Sequence, residues 1–332
     1  MILLAGIPSE APMAMVANAL EDLGYPYMTW NQRRVAESCL DFEIKNGAIE
    51  GTLTLDGTSV NLNSITGVYV RLMDDSQLPE LRDLPGDAQE RNYSRAQHEG
   101  LLVWLNLATA RVANRPAANA SNCSKPWQTR LIDTIGLRTP ETLVTNDPTA
   151  VCQFRQQHGE LIYKSASACR SVVKTFCDND ERRLDAIRWC PVQFQRRVRG
   201  CDVRVHVVGS EVFATRIDSS AVDYRYATRD GLDAKLVPFE LSPELADTCR
   251  TLSNALDLPF AGIDLRIEED GSAWCFEVNP CPGFSYYESH TGQPIAAAVA
   301  RYLMGSQEPA GGAPTSLVIP TAAQDIPSGA RQ

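Results

Sequence analysis

The sequence predicts an α/β (α+β) protein: an N-terminal α/β unit followed by a longer region of sheets and helices. Two observations predict it. Residues 1–30 read strand, turn, helix, strand, which is one βαβ unit of a parallel sheet. Residues 192–217 and 261–279 read as short strands with period-2 alternation, a pattern of half-buried sheet. A chain of 332 residues is long enough for two or three compact units.

In order, residues 2–5 form a short buried strand broken by Gly6-Ile7-Pro8. Residues 12–23 carry Met13, Val16, Ala17, Leu20 and Leu23 at helical spacing, and Gly24 stops that helix. Residues 42–70 hold several short strands, with Asn46-Gly47 and Asp56-Gly57 as hairpin turns. Residues 75–87 read as a polar loop and 92–113 as a helix with an apolar stripe. A helix over 125–135, a strand over 139–144 and a helix over 149–158 follow, the last opened by Thr145-Asn146-Asp147-Pro148. Strands are expected at 161–164, 172–175, 192–198, 201–208 and 211–217, and helices at 243–256 and 294–303. Residues 305–332 are rich in Gly, Pro, Ala and Ser, and are expected to be a disordered tail.

Composition narrows the function. A net charge of −10 argues against a general binder of nucleic-acid backbones. The start MILLAGIPSE lacks a basic n-region, and residues 101–113 are too short and polar to span a bilayer, so a cytoplasmic protein is expected. The ten cysteines form no C-x-x-C pair and read as small buried hydrophobes; only four histidines are present, which disfavours zinc.

The most informative stretch is 261–283, AGIDLRIEEDGSAWCFEVNPCPG. Ile263, Leu265 and Ile267 alternate with Asp264, Arg266 and Glu268; Trp274, Phe276 and Val278 alternate with Cys275, Glu277 and Asn279. A four-residue loop over 269–272 would set Glu268 opposite Ala273 and Asp264 opposite Glu277, with Asn279 further along the same face. Two facing carboxylates repel unless a cation lies between them. Two acids and an amide suit Mg²⁺ or Mn²⁺, which take their remaining ligands from water and substrate phosphates. A solvated polar face on an amphipathic hairpin is the plainer alternative.

Other parts gain meaning from their order. Lys125 starts a helix after Ser121-Asn122-Cys123-Ser124. Lys164 ends a strand and opens the small-residue loop 165–171, a plausible cover for phosphates. Arg204 shares a strand face with Asp202, so it either holds a phosphate or pairs with that acid. Lys125, Lys164 with its loop, Phe194-Gln195, Asp202-Val203-Arg204-Val205, Asp264 and Glu277-Val278-Asn279-Pro280 together resemble the ATP-grasp superfamily. The nearest likeness is to ligases of the ribosomal-protein-S6-modification and glutathione-synthetase types. The N-terminal strands and Val144-Thr145-Asn146-Asp147 also resemble ligases that cyclise graspetide (microviridin-type) peptides.

That resemblance implies a pre-ATP-grasp domain over 1–114, a small lobe over 115–190 and a large lobe over 191–304. It implies that Lys125 and Lys164 contact ATP phosphates, that Gln195, Arg196 and Arg197 form a hinge under the adenine, and that Asp202 approaches the ribose. It places Arg204 and Arg225 at the phosphates and transferred group, and Mg²⁺ (or Mn²⁺) on Asp264, Glu277 and Asn279. The implied reaction is ATP-dependent joining of a small-molecule or peptide carboxylate to an amine or other nucleophile. Phosphotransfer, or nucleotide binding without catalysis, is the alternative. No nucleic-acid or membrane partner is expected, and a homo-oligomer is possible. His206 reads as a packed residue or a site residue. Residues 284–290 (with Tyr286, Tyr287 and His290) and 218–230 (with Tyr224 and Tyr226) are expected to build the acceptor pocket.

Overall fold

A computed structural model describes residues 1–119, 125–166, 173–219 and 234–306. Arg225, the remainder of the loop after Ala166 and the residues from 307 onward lie outside the described residues.

The N-terminal βαβ reading is borne out. Ile2–Gly6 pairs in parallel with Tyr27–Asn31 and with Gly67–Arg71, and the helix Ala11–Asp22 makes the crossover. Arg111–Ala113 adds a fourth parallel strand beside Gly67–Arg71. This corrects the long helix expected over 92–113. The helix is Gln89–Leu107, and the chain then turns to join the sheet, burying Val112 and Ala113. The polar segment 75–87 also contains a short helix, Pro79–Arg82.

Ser38–Lys45, Ala48–Leu55 and Thr58–Asn61 form a separate antiparallel sheet. Its two turns carry positive φ at both central residues: 52° and 79° at Asn46-Gly47, 48° and 77° at Asp56-Gly57. That backbone matches the twist of the flanking strands, which is why Asn-Gly and Asp-Gly occupy it.

A third sheet has the order Lys174–Thr175, Leu161–Ser165, Val192–Arg196, Thr142–Thr145, all antiparallel. Tyr163, Phe176 and Phe194 pack one face against the helix Pro148–His158, whose first turn Asp147 caps by accepting from the Thr149 N–H. The opposite face carries Lys164, Gln193 and Gln195, all nearly buried although polar.

The fourth sheet runs Ala234–Phe239, Glu211–Ser219, Cys201–Val208, Phe260–Ile267, Ala273–Asn279. Val203, Val205, Val207, Ile263 and Leu265 line one face under the helix Pro243–Ala255. The strand Ala234–Phe239 and the helix Ser285–Thr291 were not anticipated. The other face has an apolar end, Val208 and Phe260, continuous with Ile2, Leu4 and Tyr69 of the first sheet. The polar remainder of that face holds the candidate site.

Candidate active site

The site is built on three adjacent strands. On the hairpin, Asp264 lies opposite Glu277 and Gly262 opposite Asn279, as expected. The route to that pairing differs from expectation. Ile267, rather than Glu268, pairs with Ala273, so the loop is one residue longer and the strands start out of step. A β-bulge at Phe276 restores the register. Cys275 therefore pairs with Leu265 and points into the core, fully buried, instead of sharing the face of Glu277. Without the extra residue Asp264 would face Phe276. Bulges re-aim side chains in this way at the rims of sites.

On the third strand Arg204 is opposite Asp264, and its Nη1 donates to Asp264 Oδ1 at 2.7 Å. Arg204 is 5% exposed. A charge so removed from water needs a charged partner, and Asp264 provides one. The alternative pairing with Asp202 is not formed. Asp202 instead accepts from Arg266 Nε at 2.8 Å, in the next row of the sheet, where Arg266 also donates to the Val198 carbonyl. The resulting row of Arg204, Asp264 and Glu277 has one cation facing two acids. Both acids and Asn279 are partly exposed, and Asn279 Oδ1 accepts from the Cys281 N–H at 2.9 Å, which fixes its carbonyl oxygen. An oxygen-only set of two carboxylates and an amide fits Mg²⁺.

The remaining predicted residues are placed as follows. Lys125 opens the helix Lys125–Thr134; one turn later Gln128 donates to the Val278 carbonyl and accepts the Val278 N–H, at 2.7 and 3.1 Å. That pair pins the helix start to the strand Ala273–Asn279. Lys164 is buried opposite Gln193. Gln195 Nε2 donates to Thr142 Oγ1, and its buried Oε1 has no donor among the described residues. An unpaired buried acceptor is costly in isolation and suits a ligand N–H such as an adenine amine. Arg196 is bonded to Glu141 at 2.5 Å and lies 4.5 Å over the Trp274 ring, so it braces the third sheet against the fourth. Arg197 faces Glu160 at 3.4 Å.

Sequence reading missed three residues. Asn114, at the end of the first sheet, donates to the Phe260 and Pro280 carbonyls and accepts the Phe260 N–H, all within a buried pocket. Arg71 donates to the Pro282 carbonyl at 3.0 Å and pairs with Glu10. Gly262 lies under the Arg204 guanidinium. Their signal was a lone polar residue at each of two strand ends and a glycine inside a strand, none of which names a partner.

Of the two readings of His206, a packed residue or a site residue, its burial supports the packed one. It is fully buried, ringed by Phe260 and Tyr287, with neither nitrogen hydrogen-bonded among the described residues. Burial, aided by Arg204, holds its basicity well below the ordinary value. The folded state then binds fewer protons than the unfolded one. Stability is full above the unfolded value of about 6.5 and falls below it, by at most about 1.4 kcal/mol per pH unit. His206→Phe should flatten this slope in denaturant titrations between pH 7 and 5; an unchanged slope would assign the acid sensitivity elsewhere. His290 is exposed and bonded to the Tyr286 carbonyl at 2.7 Å.

Known proteins resemble this chain in sequence and in fold. A probable alpha-L-glutamate ligase of Cellvibrio japonicus (strain Ueda107) is 30% identical over 161 residues, 48% of this chain and 50% of the relative. The chain spans about half the length of the curated relatives it matches. A Chryseobacterium gregarium RiPP-associated ATP-grasp ligase, in complex with ADP and a leader and core peptide, superposes with a TM-score of 0.77 at 19% identity, over 93% of this chain and 97% of that one. The ATP-grasp ligase PsnB, complexed with minimal precursor, Mg and ADP, gives 0.72 at 27% identity, over 92% and 96%. The model of the RimK-like ATP-grasp domain matches residues 130–303, more than half of the sequence, and the chain belongs to that family.

Proposed function

We propose that the chain is an ATP-dependent ligase that activates a carboxylate as an acylphosphate and joins it to an amine or another nucleophile, with a peptide as substrate. The observation that carries this reading is the row Arg204, Asp264, Glu277, where one buried cation and two acids meet on one sheet face. On this reading residues 1–114 are the pre-ATP-grasp unit, 115–190 the small lobe and 191–304 the large lobe. Gln195 Oε1 accepts from the adenine, Lys125 and Lys164 neutralise phosphate, and Asp202 lies toward the ribose. Asp264, Glu277 and Asn279 hold the metal, which when bound supplies charge neutralisation for the phosphates. Arg204 orients Asp264 through its hydrogen bond and adds positive charge beside the transferred group; Arg225, which lies outside the described residues, is assigned to the phosphates and the transferred group by the family resemblance alone.

A substrate carboxylate oxygen attacks the γ-phosphorus, the bond to the β,γ-bridging oxygen breaks, and ADP leaves. The nucleophile then attacks the acyl carbon, loses a proton, and phosphate departs with the electrons of the C–O bond. Both steps need positioning and preorganised charge more than covalent help from the protein. The likeness to PsnB, which is complexed with a precursor, supports the peptide substrate. Among the described residues no helix is long and apolar enough to cross a membrane.

The test is incubation with MgATP and small peptides encoded beside its gene, followed by mass spectrometry. Ligation within a peptide gives ADP, phosphate and the loss of one water per bond. A stable gain of one phosphoryl group would replace the ligase with a phosphotransferase, and absence of any nucleotide turnover across the panel would reject catalysis on peptides. Within the site, Lys164→Met should weaken MgATP binding by about tenfold or more, the loss of one charge-assisted contact. Calorimetric titration checks it; unchanged affinity removes Lys164 from the phosphate site.

A further inference from the structure

We propose that Gly262 and Tyr287 are positioning residues that hold the Arg204 guanidinium in one orientation beside the metal-binding acids, a role that rests on the ligase reading above. Arginine carries a long stem with many rotamers, and only an oriented fork recognises phosphate well. Here the fork has three walls. Asp264 Oδ1 receives Nη1 at 2.7 Å. The Tyr287 ring centroid is 5.7 Å from Arg204 Cζ, within cation–π range. The third wall is bare backbone. A Cβ added at Gly262 would lie 2.7 Å from Arg204 Cζ, nearer still to Nη2, and 2.7 Å from Pro282 Cβ. Any other residue at 262 would push the guanidinium out of its slot.

Tyr287 is itself held. It belongs to the helix Ser285–Thr291, is nearly buried, and meets the ring of His206 edge-on at 5.0 Å and that of Tyr286 at 5.8 Å. His206 lies directly opposite Gly262 across the sheet. The helix that carries Tyr287 follows the strand of Glu277 and Asn279, so its packing sets one wall of the Arg204 slot. An arginine held this way meets developing charge without reorganising, the condition under which fixed dipoles and charges contribute most.

The test is calorimetric titration of the full chain with Mg·AMPPNP and Mg·ADP, with thermal unfolding as the control for folding. Arg204→Lys should weaken AMPPNP more than ADP. Tyr287→Leu should weaken AMPPNP by about tenfold and ADP by less than about twofold, while Tyr287→Phe, which keeps the ring face, restores AMPPNP binding. Gly262→Ala should show the same selectivity. In the Arg204→Lys background Tyr287→Leu should add nothing. The proposal is overturned if Tyr287→Leu and Gly262→Ala weaken both nucleotides equally or neither, or if their effects add in full to a selective Arg204→Lys loss. If Arg204→Lys itself changes neither affinity, the phosphate role of Arg204 fails and the positioning role falls with it.

Discussion

Glu277→Ala is expected to abolish MgATP turnover, by at least about 10²–10³-fold, while the protein stays folded. Glu277 and Asp264 are directly opposed on neighbouring strands. Like charges in that relation cost stability, so removing one should leave the melting temperature unchanged or slightly raised. A catalytic effect and a stability effect thus carry opposite signs. Chelation of the metal in the wild type should reproduce the loss, and added Mg²⁺ should not rescue the variant. Retained Mg²⁺-dependent turnover in Glu277→Ala would remove the metal assignment. A lowered melting temperature would show instead that the residue supports the hairpin.

Asn114→Ala is expected to destabilise the protein by about 3–5 kcal/mol, the sum of three buried backbone groups left without partners. Asn114 satisfies the Phe260 N–H and carbonyl together with the Pro280 carbonyl. Phe260 begins the strand that carries Asp264, and Pro280 follows Asn279, so one side chain ties the first sheet to both ends of the site. Denaturant unfolding measures the loss, and nucleotide affinity should fall with it because the hairpin loses its anchor. A cost below about 1 kcal/mol would show that water replaces the amide without penalty.

The hairpin of Asp264 and Glu277 shows how far sequence reading reaches. Alternation of apolar and polar residues identified both strands and placed Asp264 and Glu277 together. It gave the wrong loop length and put Cys275 beside Glu277. The two errors share a cause. Period-2 alternation assumes unbroken pairing, and one inserted residue at Phe276 reverses the faces on its turn-ward side without any change in composition. The helix expected over 92–113 failed for a related reason: Arg111–Ala113 is apolar enough to extend the helix but is claimed by the strand Gly67–Arg71. Short buried strands and buried helical turns look alike when periodicity is the only guide.

By itself the sequence determined the parallel βαβ start, both positive-φ hairpin turns, the order of lysine, arginine and acid motifs, and the oxygen-only character of the proposed metal set. These are local properties, fixed by residue type and by the backbone conformations each residue tolerates. Only the tertiary structure decided that Arg204 pairs with Asp264 rather than Asp202, that Arg196 stacks on Trp274, and that Asn114 and Gly262 belong to the site. Those relations join residues from about 60 to about 170 positions apart, where the choice among partners is made by strand register and by the cost of leaving a buried charge or amide unpaired.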